Sequence, residues 1–406
     1  MSAALLPEPL VASPAPVRGD DAAPELSVVI PCLNEADTLA TCVEKALRAM
    51  REHGIEGEVV VADNGSTDGS QELARAAGAR VVPVAERGYG FALMGGIAAA
   101  RGRWVLMGDA DDSYDFLQIP AFVARLREGY ELVQGCRLER GGGRVMPGAM
   151  PVLHRWWGNP MFSWLTRWWF RSPVDDVHCG MRAFGREFQL GLGQRCGGME
   201  FATEMIVKAS LARARITQVP ITLHRDGRVA HPPHLRTFRD GWRHLRFMLL
   251  YSPRWLFLVP GLVLMALGVL GYGAGLPSVR VGGVNFDVHT LLFASLAMIC
   301  GFQSVVFAVC TKVFAVSEGL LPRDPRVETI TRVATLEKSL IVAAVAILAG
   351  VVLLAGAVLQ WRAADFGPLD YRRTMRWVIP GMTLTALGFQ CMLSSFFLSV
   401  LGMRRR

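Results

Sequence analysis

The sequence contains no CxxC pair, and its eight cysteines follow no regular spacing. Cys300, Cys310 and Cys391 lie inside strongly apolar stretches. That pattern excludes a disulfide framework and a cysteine-based zinc site, and it fits a reducing compartment. The first residues have no basic n-region, and prolines interrupt their apolar residues. Residues 1–24 therefore read as a flexible tail rather than a signal peptide. No nucleic-acid-binding module is recognisable, so the net charge of +8 needs another explanation. The Gly-rich "ERGYGFALMGG" is not a GxGxxG, and its glycines equally serve close helix packing.

Charge is also missing from four long stretches in the second half: Trp255–Gly275, Val288–Thr311, Ser339–Gln360 and Trp377–Leu401. Each has about 20 apolar residues, enough to cross about 30 Å of hydrocarbon. They predict an all-α membrane domain over residues 255–406, preceded by an interfacial amphipathic helix over 233–254. In "LRTFRDGWRHLRFMLL", Leu235, Phe238, Trp242, Leu245 and Leu249 recur at helical spacing, with arginines on another face. Arginines precede the first run, basic residues lie between the second and third, and the chain ends in Arg404, Arg405 and Arg406. This bias puts both termini in the cytoplasm, in a membrane expected to be a bacterial inner membrane. Arg362, Arg372, Arg373 and Arg376, in the second outer loop, run against it.

Residues 25–232 have the composition of a soluble α/β domain. "LSVVIPCLNE", "EVVVADNGSTDGS", "RVVPV" and "RWVLMGDADD" are strand patterns separated by helical ones. Such alternation predicts a mainly parallel, Rossmann-like sheet covered on both faces. Ligands bind such sheets beyond the carboxyl ends of the strands. Asn34, Glu35, Asp63, Asn64, Asp109 and Asp111 all follow strands directly. "MGDADDSYDF" packs four acids, Asp109, Asp111, Asp112 and Asp115, into seven residues. A solvated, capped turn accounts for some of them. Two carboxylates spaced as Asp109 and Asp111 also suit Mg²⁺ or Mn²⁺, shared with substrate phosphates.

"VVIPCLNEADTL", "VVVADNGSTDGS" and "GDADDSYDF", in this order, resemble a family-2 glycosyltransferase of GT-A fold. "GCRLERGG", "HRWWGN", "DDVHCGMRAF" and "EFATEMIVKA" resemble its dolichyl-phosphate mannosyltransferase and polyprenyl-phosphate glycosyltransferase branch. The QxxRW of processive synthases is absent. The resemblance implies that Pro31, Asn34, Glu35, Asp63 and Asn64 line the nucleotide-sugar pocket with Asp109; Arg87, in the Gly-rich stretch, is a candidate diphosphate ligand. Asp109 and Asp111 would hold the metal, with Ser113 standing where the family often has Gln. Arg137, Arg155, Asn159, Glu204, Arg225 and Arg236 would serve the acceptor phosphate. Asp176 would be catalytic together with Asp111 and Arg137, either as a base or as an orienting group.

The implied reaction moves a sugar, with inversion, from a UDP- or GDP-linked donor to a polyprenyl phosphate, undecaprenyl or dolichyl. A phosphate monoester is already an anion near neutrality, since its second pKa is about 6. It needs charge neutralisation more than it needs a strong base. Trp156, Trp157, Trp164, Trp168 and Trp169 fit a membrane-level substrate. Two other readings stay open. A transferase acting on a hydroxyl would need Asp176 as a true base, and a non-catalytic lipid-phosphate-binding membrane protein would need no donor site. The sequence also leaves open whether the chain forms a homo-oligomer.

Overall fold

The computed structural model describes residues 23–228, 237–322, 324, 325, 329 and 335–402. Most of the expected tail, Arg236 and Arg404–Arg406 lie outside these residues.

The first half is built on strands β1 (Leu26–Cys32), β2 (Gly57–Asp63), β3 (Arg80–Pro83), β4 (Trp104–Met107), β5 (Leu132–Cys136), β6 (Arg144–Val145), β7 (Arg182–Gly185), β8 (Ile216–Pro220) and β9 (Thr222–Leu223). Seven of them form one sheet in the order β3-β2-β1-β4-β7-β5-β8. Pairing is parallel except at β7, which runs antiparallel to both β4 and β5. β6 and β9 form a separate parallel pair.

Side chains alternate across β1. Val28 and Ile30 enter one core with Leu39, Val43, Leu106, Phe116 and Phe122. Val29 enters the other with Leu93, Ile97, Met107, Phe201 and Met205. Both faces are thus buried, as the continuous apolar strands predict. Helix α1 (Leu39–Glu52) follows its 3.6-residue pattern and buries Leu39, Val43, Ala46 and Met50. α2 (Ser70–Ala76), α3 (Tyr89–Ala99) and α4 (Ile119–Arg127) follow β2, β3 and β4. The remaining helices of this half are α5 (Asn159–Phe170), α6 (Arg186–Gly191), α7 (Phe201–Leu211) and α8 (Thr237–Leu250).

α8 starts at Thr237 among the described residues, and its inward face differs from the expected stripe. Asp240, His244, Phe247 and Met248 are buried, whereas Phe238 and Trp242 face outward. An apolar stripe turned away from the protein needs an apolar partner outside it.

Four helices follow that are long and apolar enough to cross a membrane: Arg254–Gly275, Val288–Ser317, Leu336–Ala363 and Tyr371–Gly402. The last three extend beyond the predicted runs. Only 11–22 % of each apolar window is buried within the chain, so most of that surface needs hydrocarbon around it. The chain is therefore an integral membrane protein. Small residues bring the spans together: a Cβ on Gly261 would stand 2.9 Å from the Gly301 carbonyl oxygen.

Candidate active site

Parallel strands β1, β2 and β4 end at the same edge of the sheet, and their C-terminal loops form one cleft. Asn34, at φ 59°, starts the loop after β1. Its backbone N–H donates to Ser66 Oγ at 2.9 Å and its Oδ1 accepts from Thr67 N–H at 2.8 Å. The backbone N–H of the buried Glu35 donates to Ser70 Oγ at 2.9 Å. Pro31 lies within β1, opposite Ala62. Asp63 closes its own turn: its carboxylate accepts from the backbone of Gly65 and Ser66 at 3.1 and 3.2 Å, and from Gln71 Nε2 at 2.7 Å.

Asn64 points elsewhere. Its amide donates to the carbonyls of Val84 and Glu86, and its Oδ1 accepts from Gly88 N–H at 2.7 Å. It braces the loop before α3. Arg87, on that loop, is exposed. The nearby glycines pack against backbone: Gly90 N–H donates to Gly197 O at 2.9 Å.

The acid cluster divides into two pairs. Asp112, at φ 57°, turns away and pairs with Lys45 at 2.8 Å. Asp115 accepts from Leu117 N–H at 3.1 Å and caps a 3₁₀ turn. Asp109 and Asp111 face the cleft. Asp109 Oδ1 accepts from the Tyr89 hydroxyl at 2.8 Å. Burial, then the charge of Asp111, pushes the Asp109 carboxyl up to about 6, against the pull of Tyr89. A Cβ on Gly180 would stand 2.7 Å from Asp109 Oδ2, so the glycine keeps that oxygen accessible. Ser113 N–H donates to Asp111 Oδ1 at 3.1 Å and fixes the second carboxylate. Among the described residues no group of three or more His, Cys, Asp or Glu is arranged to hold a metal. Two carboxylates with one cleared oxygen fit an ion that takes its other ligands from substrate phosphate and water.

Behind this pair lies a buried ion pair. Asp176 accepts three bonds from Arg137: from its backbone N–H at 3.0 Å, Nε at 2.7 Å and Nη2 at 2.8 Å. Asp176 is fully buried and Arg137 nearly so. Burial opposes the guanidinium charge, yet the Asp176 carboxylate holds its pKa well above the ordinary value. Tyr114 Oη accepts from Gly180 N–H at 2.9 Å and from Arg137 Nη1 at 3.4 Å, which joins the pair to the Asp109 side. The fork of Arg137 pairs with Asp176 through Nε and Nη2, while Nη1 reaches Tyr114. Asp176 accepts two of these bonds on Oδ2 and one on Oδ1.

The other expected acceptor residues are scattered. Glu204 is fully buried and accepts from the backbone of Arg195 and Cys196 and from Lys208 at 2.9 Å. It ties the backbone of residues 195 and 196 to α7. Asn159 is spent on Met150 Sδ and on His178 Nδ1 at 3.0 Å. Arg225 is exposed and donates to Pro147 O at 2.6 Å. Arg155 pairs with Glu139 at 2.8 Å and lines a cavity of about 370 Å³ with Arg140, Arg167, Trp156, Trp164 and Asp175. Asp175, beside Asp176, holds Arg140 at 3.2 Å and also pairs with Arg167. From the cavity an exposed aromatic strip runs outward. Trp164 stacks on Trp168 at 5.0 Å, and Trp168 meets Trp255, at the start of the first span, at 4.1 Å.

Two further arginines brace the site without having been assigned a role from the sequence. Arg182, fully buried, donates only to carbonyls, those of Ala202 at 2.7 Å and Cys179 at 2.6 Å among them, and ties the 177–181 loop to α7. Arg228 donates to Glu35 Oε2 at 2.7 Å and stands 3.3 Å from Asp111 Oδ2. Its one local signal is its place in a short polar stretch just after β9.

Residues 27–188 match the family described as Glycosyl transferase family 2, and residues 309–402 match the Glycosyltransferase family 2 C-terminal transmembrane region. The low-salt glycan biosynthesis hexosyltransferase Agl6 of Haloferax volcanii is 36% identical over 384 residues, 94% of this chain and 90% of that protein. The dolichyl-phosphate hexose transferase of the same organism is 30% identical over 197 residues, 48% of this chain and 82% of its own length. Glucosyl-3-phosphoglycerate synthase of Mycobacterium tuberculosis, solved with Mn²⁺, UDP and glucosyl-3-phosphoglycerate, is 24% identical with TM-score 0.44, over 57% of this chain and 80% of that chain.

Proposed function

The chain belongs to glycosyltransferase family 2, and from that membership we propose that it transfers a sugar, with inversion, from a nucleotide diphosphate to a polyprenyl phosphate at the cytoplasmic membrane face. The observation that carries this reading is the cavity walled by Arg140, Arg155 and Arg167, which adjoins Asp175 and continues through Trp164 and Trp168 to Trp255. Cations at one end and a lipid-level aromatic strip at the other suit an anionic head on an apolar tail. The four spans and the resemblance to a dolichyl-phosphate hexose transferase support the same acceptor class.

Glu35, Asp63 and Asn34 would border the nucleoside, and Asp109 and Asp111 would hold Mg²⁺ or Mn²⁺. The cation, when bound, stabilises negative charge on the departing nucleoside diphosphate. The lipid phosphate is already ionised, so no residue has to remove its proton. Arg155 and its neighbours offset repulsion between the two anions, and guanidinium geometry favours a bidentate hold. Arg137 and Asp176 fix each other and, through Tyr114, the wall beside Asp109. The bidentate hold of Arg137 on Asp176 supports an orienting role for that carboxylate, whereas a transferase acting on a hydroxyl needs a base. One displacement at the anomeric carbon inverts it.

The test incubates membranes containing the protein with radiolabelled UDP- and GDP-sugars and extracts the lipid. Label that enters the lipid and is released by mild acid is the expected result. An acid-stable glycolipid would overturn the acceptor assignment.

A further inference from the structure

The guanidinium of Arg228 touches three carboxylates. Nε donates to Glu35 at 2.7 Å, Nη1 donates to Asp226 at 3.0 Å, and Nη2 stands 3.3 Å from Asp111. The contact with Asp111 is the longest and hence the weakest of the three. Arg228 lies 193 residues from Glu35 in sequence, on a strap that follows β9. Backbone bonds help fasten the strap: His224 N–H donates to Ser113 O and Gly227 N–H to Asp111 O, both at 2.9 Å. Asp226 holds Arg228 from the same strap, accepting its backbone N–H at 2.9 Å as well as Nη1. The side chain therefore has a pivot that is independent of Asp111.

We propose that Arg228 competes with the divalent cation for Asp111 and, once displaced, becomes a ligand of the donor diphosphate. This rests on the reading of Asp109 and Asp111 as metal ligands. The Asp111 contact is the longest that Arg228 makes, so a doubly charged ion takes Asp111 at an advantage. Displacement frees Nη2 beside the place where that ion would draw in two anionic phosphates, and a guanidinium N–H gives a phosphate oxygen a charge-assisted hydrogen bond. Arg228 thereby couples the arrival of metal and nucleotide. It weakens metal binding alone and strengthens binding of the metal with its nucleotide.

The experiment measures Mn²⁺ bound to the detergent-solubilised full chain by electron paramagnetic resonance, with Mn²⁺ alone, with UDP and with GDP. Arg228→Gln is expected to bind Mn²⁺ alone about tenfold more tightly, as loss of one competing charge implies. It should bind Mn²⁺ with the preferred nucleotide about ten- to a hundredfold more weakly, the loss of a charged hydrogen bond. Arg228→Lys keeps the charge without the fork, so its affinity for Mn²⁺ alone stays near wild type while the nucleotide complex weakens. Both affinities falling together in Arg228→Gln would make Arg228 a structural brace and overturn the proposal, and so would two unchanged affinities. Failure of wild type to bind Mn²⁺ under any of the three conditions would remove the metal reading itself, and the inference with it.

Discussion

Replacing Asp176 by Asn leaves the Arg137 guanidinium buried with no counter-charge. Both members of the pair are at most 7 % exposed, and three hydrogen bonds of 2.7–3.0 Å join them. Removing one partner of such a pair costs about 3–5 kcal/mol, because the remaining charge stays desolvated. In a catalytic domain of this size that lowers the melting temperature by about 6–20 °C. A thermal melt of the solubilised chain followed by tryptophan fluorescence reads the shift directly. Replacing both residues, Arg137→Met with Asp176→Leu, should recover part of the loss, since neither charge is then stranded. Activity measured below the variant's midpoint should fall because the Tyr114 wall loosens, with no carboxylate limb removed from the pH profile. A wild-type melting temperature in Asp176→Asn, together with loss of such a limb, would refute the reasoning and make Asp176 a base.

Asp111→Asn should abolish transfer in membranes while the purified protein nearly keeps its melting temperature, since Asp111 is held by Ser113 N–H, which an Asn oxygen still accepts, and by one long contact to Arg228 that retains two other carboxylates; undiminished activity would remove its metal role. Arg155→Ala should raise the KM for lipid phosphate and leave that for the nucleotide sugar unchanged, because Arg155 lines the cavity and not the strand-end cleft. Acid should loosen α8. His244 is buried and bonded to Thr203 at 2.8 Å, and burial lowers its pKa from 6.5 to about 4 despite Asp240. It stays neutral in the folded state while the unfolded chain takes up a proton below 6.5. Its contribution, about 3 kcal/mol, is therefore complete above that pH and is lost as pH falls toward 4. His244→Phe should flatten the acid limb of the melting-temperature profile.

The strand-end residues were legible because their placement is local. A parallel strand carries its last residues to the same sheet edge whatever its partner is, so Glu35, Asp63, Asp109 and Asp111 could be assigned to one cleft before any pairing was known. Direction is not local in the same way: β7 is a short buried strand, and its apolar pattern reads alike parallel or antiparallel. Partners of polar side chains were least legible. Asn64 and Glu204 spend their hydrogen bonds on backbone atoms of other loops, which no residue type announces. Asp112 and Asp115 share the acidity of their neighbours, yet one serves a left-handed turn and the other a cap. Arg228 depends on closure of the whole domain, since only the folded chain brings residue 228 to residue 35.

The chemistry of the product tests the central claim most directly. Lipid product made by the purified chain from an isotope-labelled donor, examined by proton and phosphorus NMR, should show the anomeric proton coupled to phosphorus in a phosphodiester, with the anomeric configuration inverted from the donor. An anomeric proton without phosphorus coupling, or retained configuration, would contradict the account.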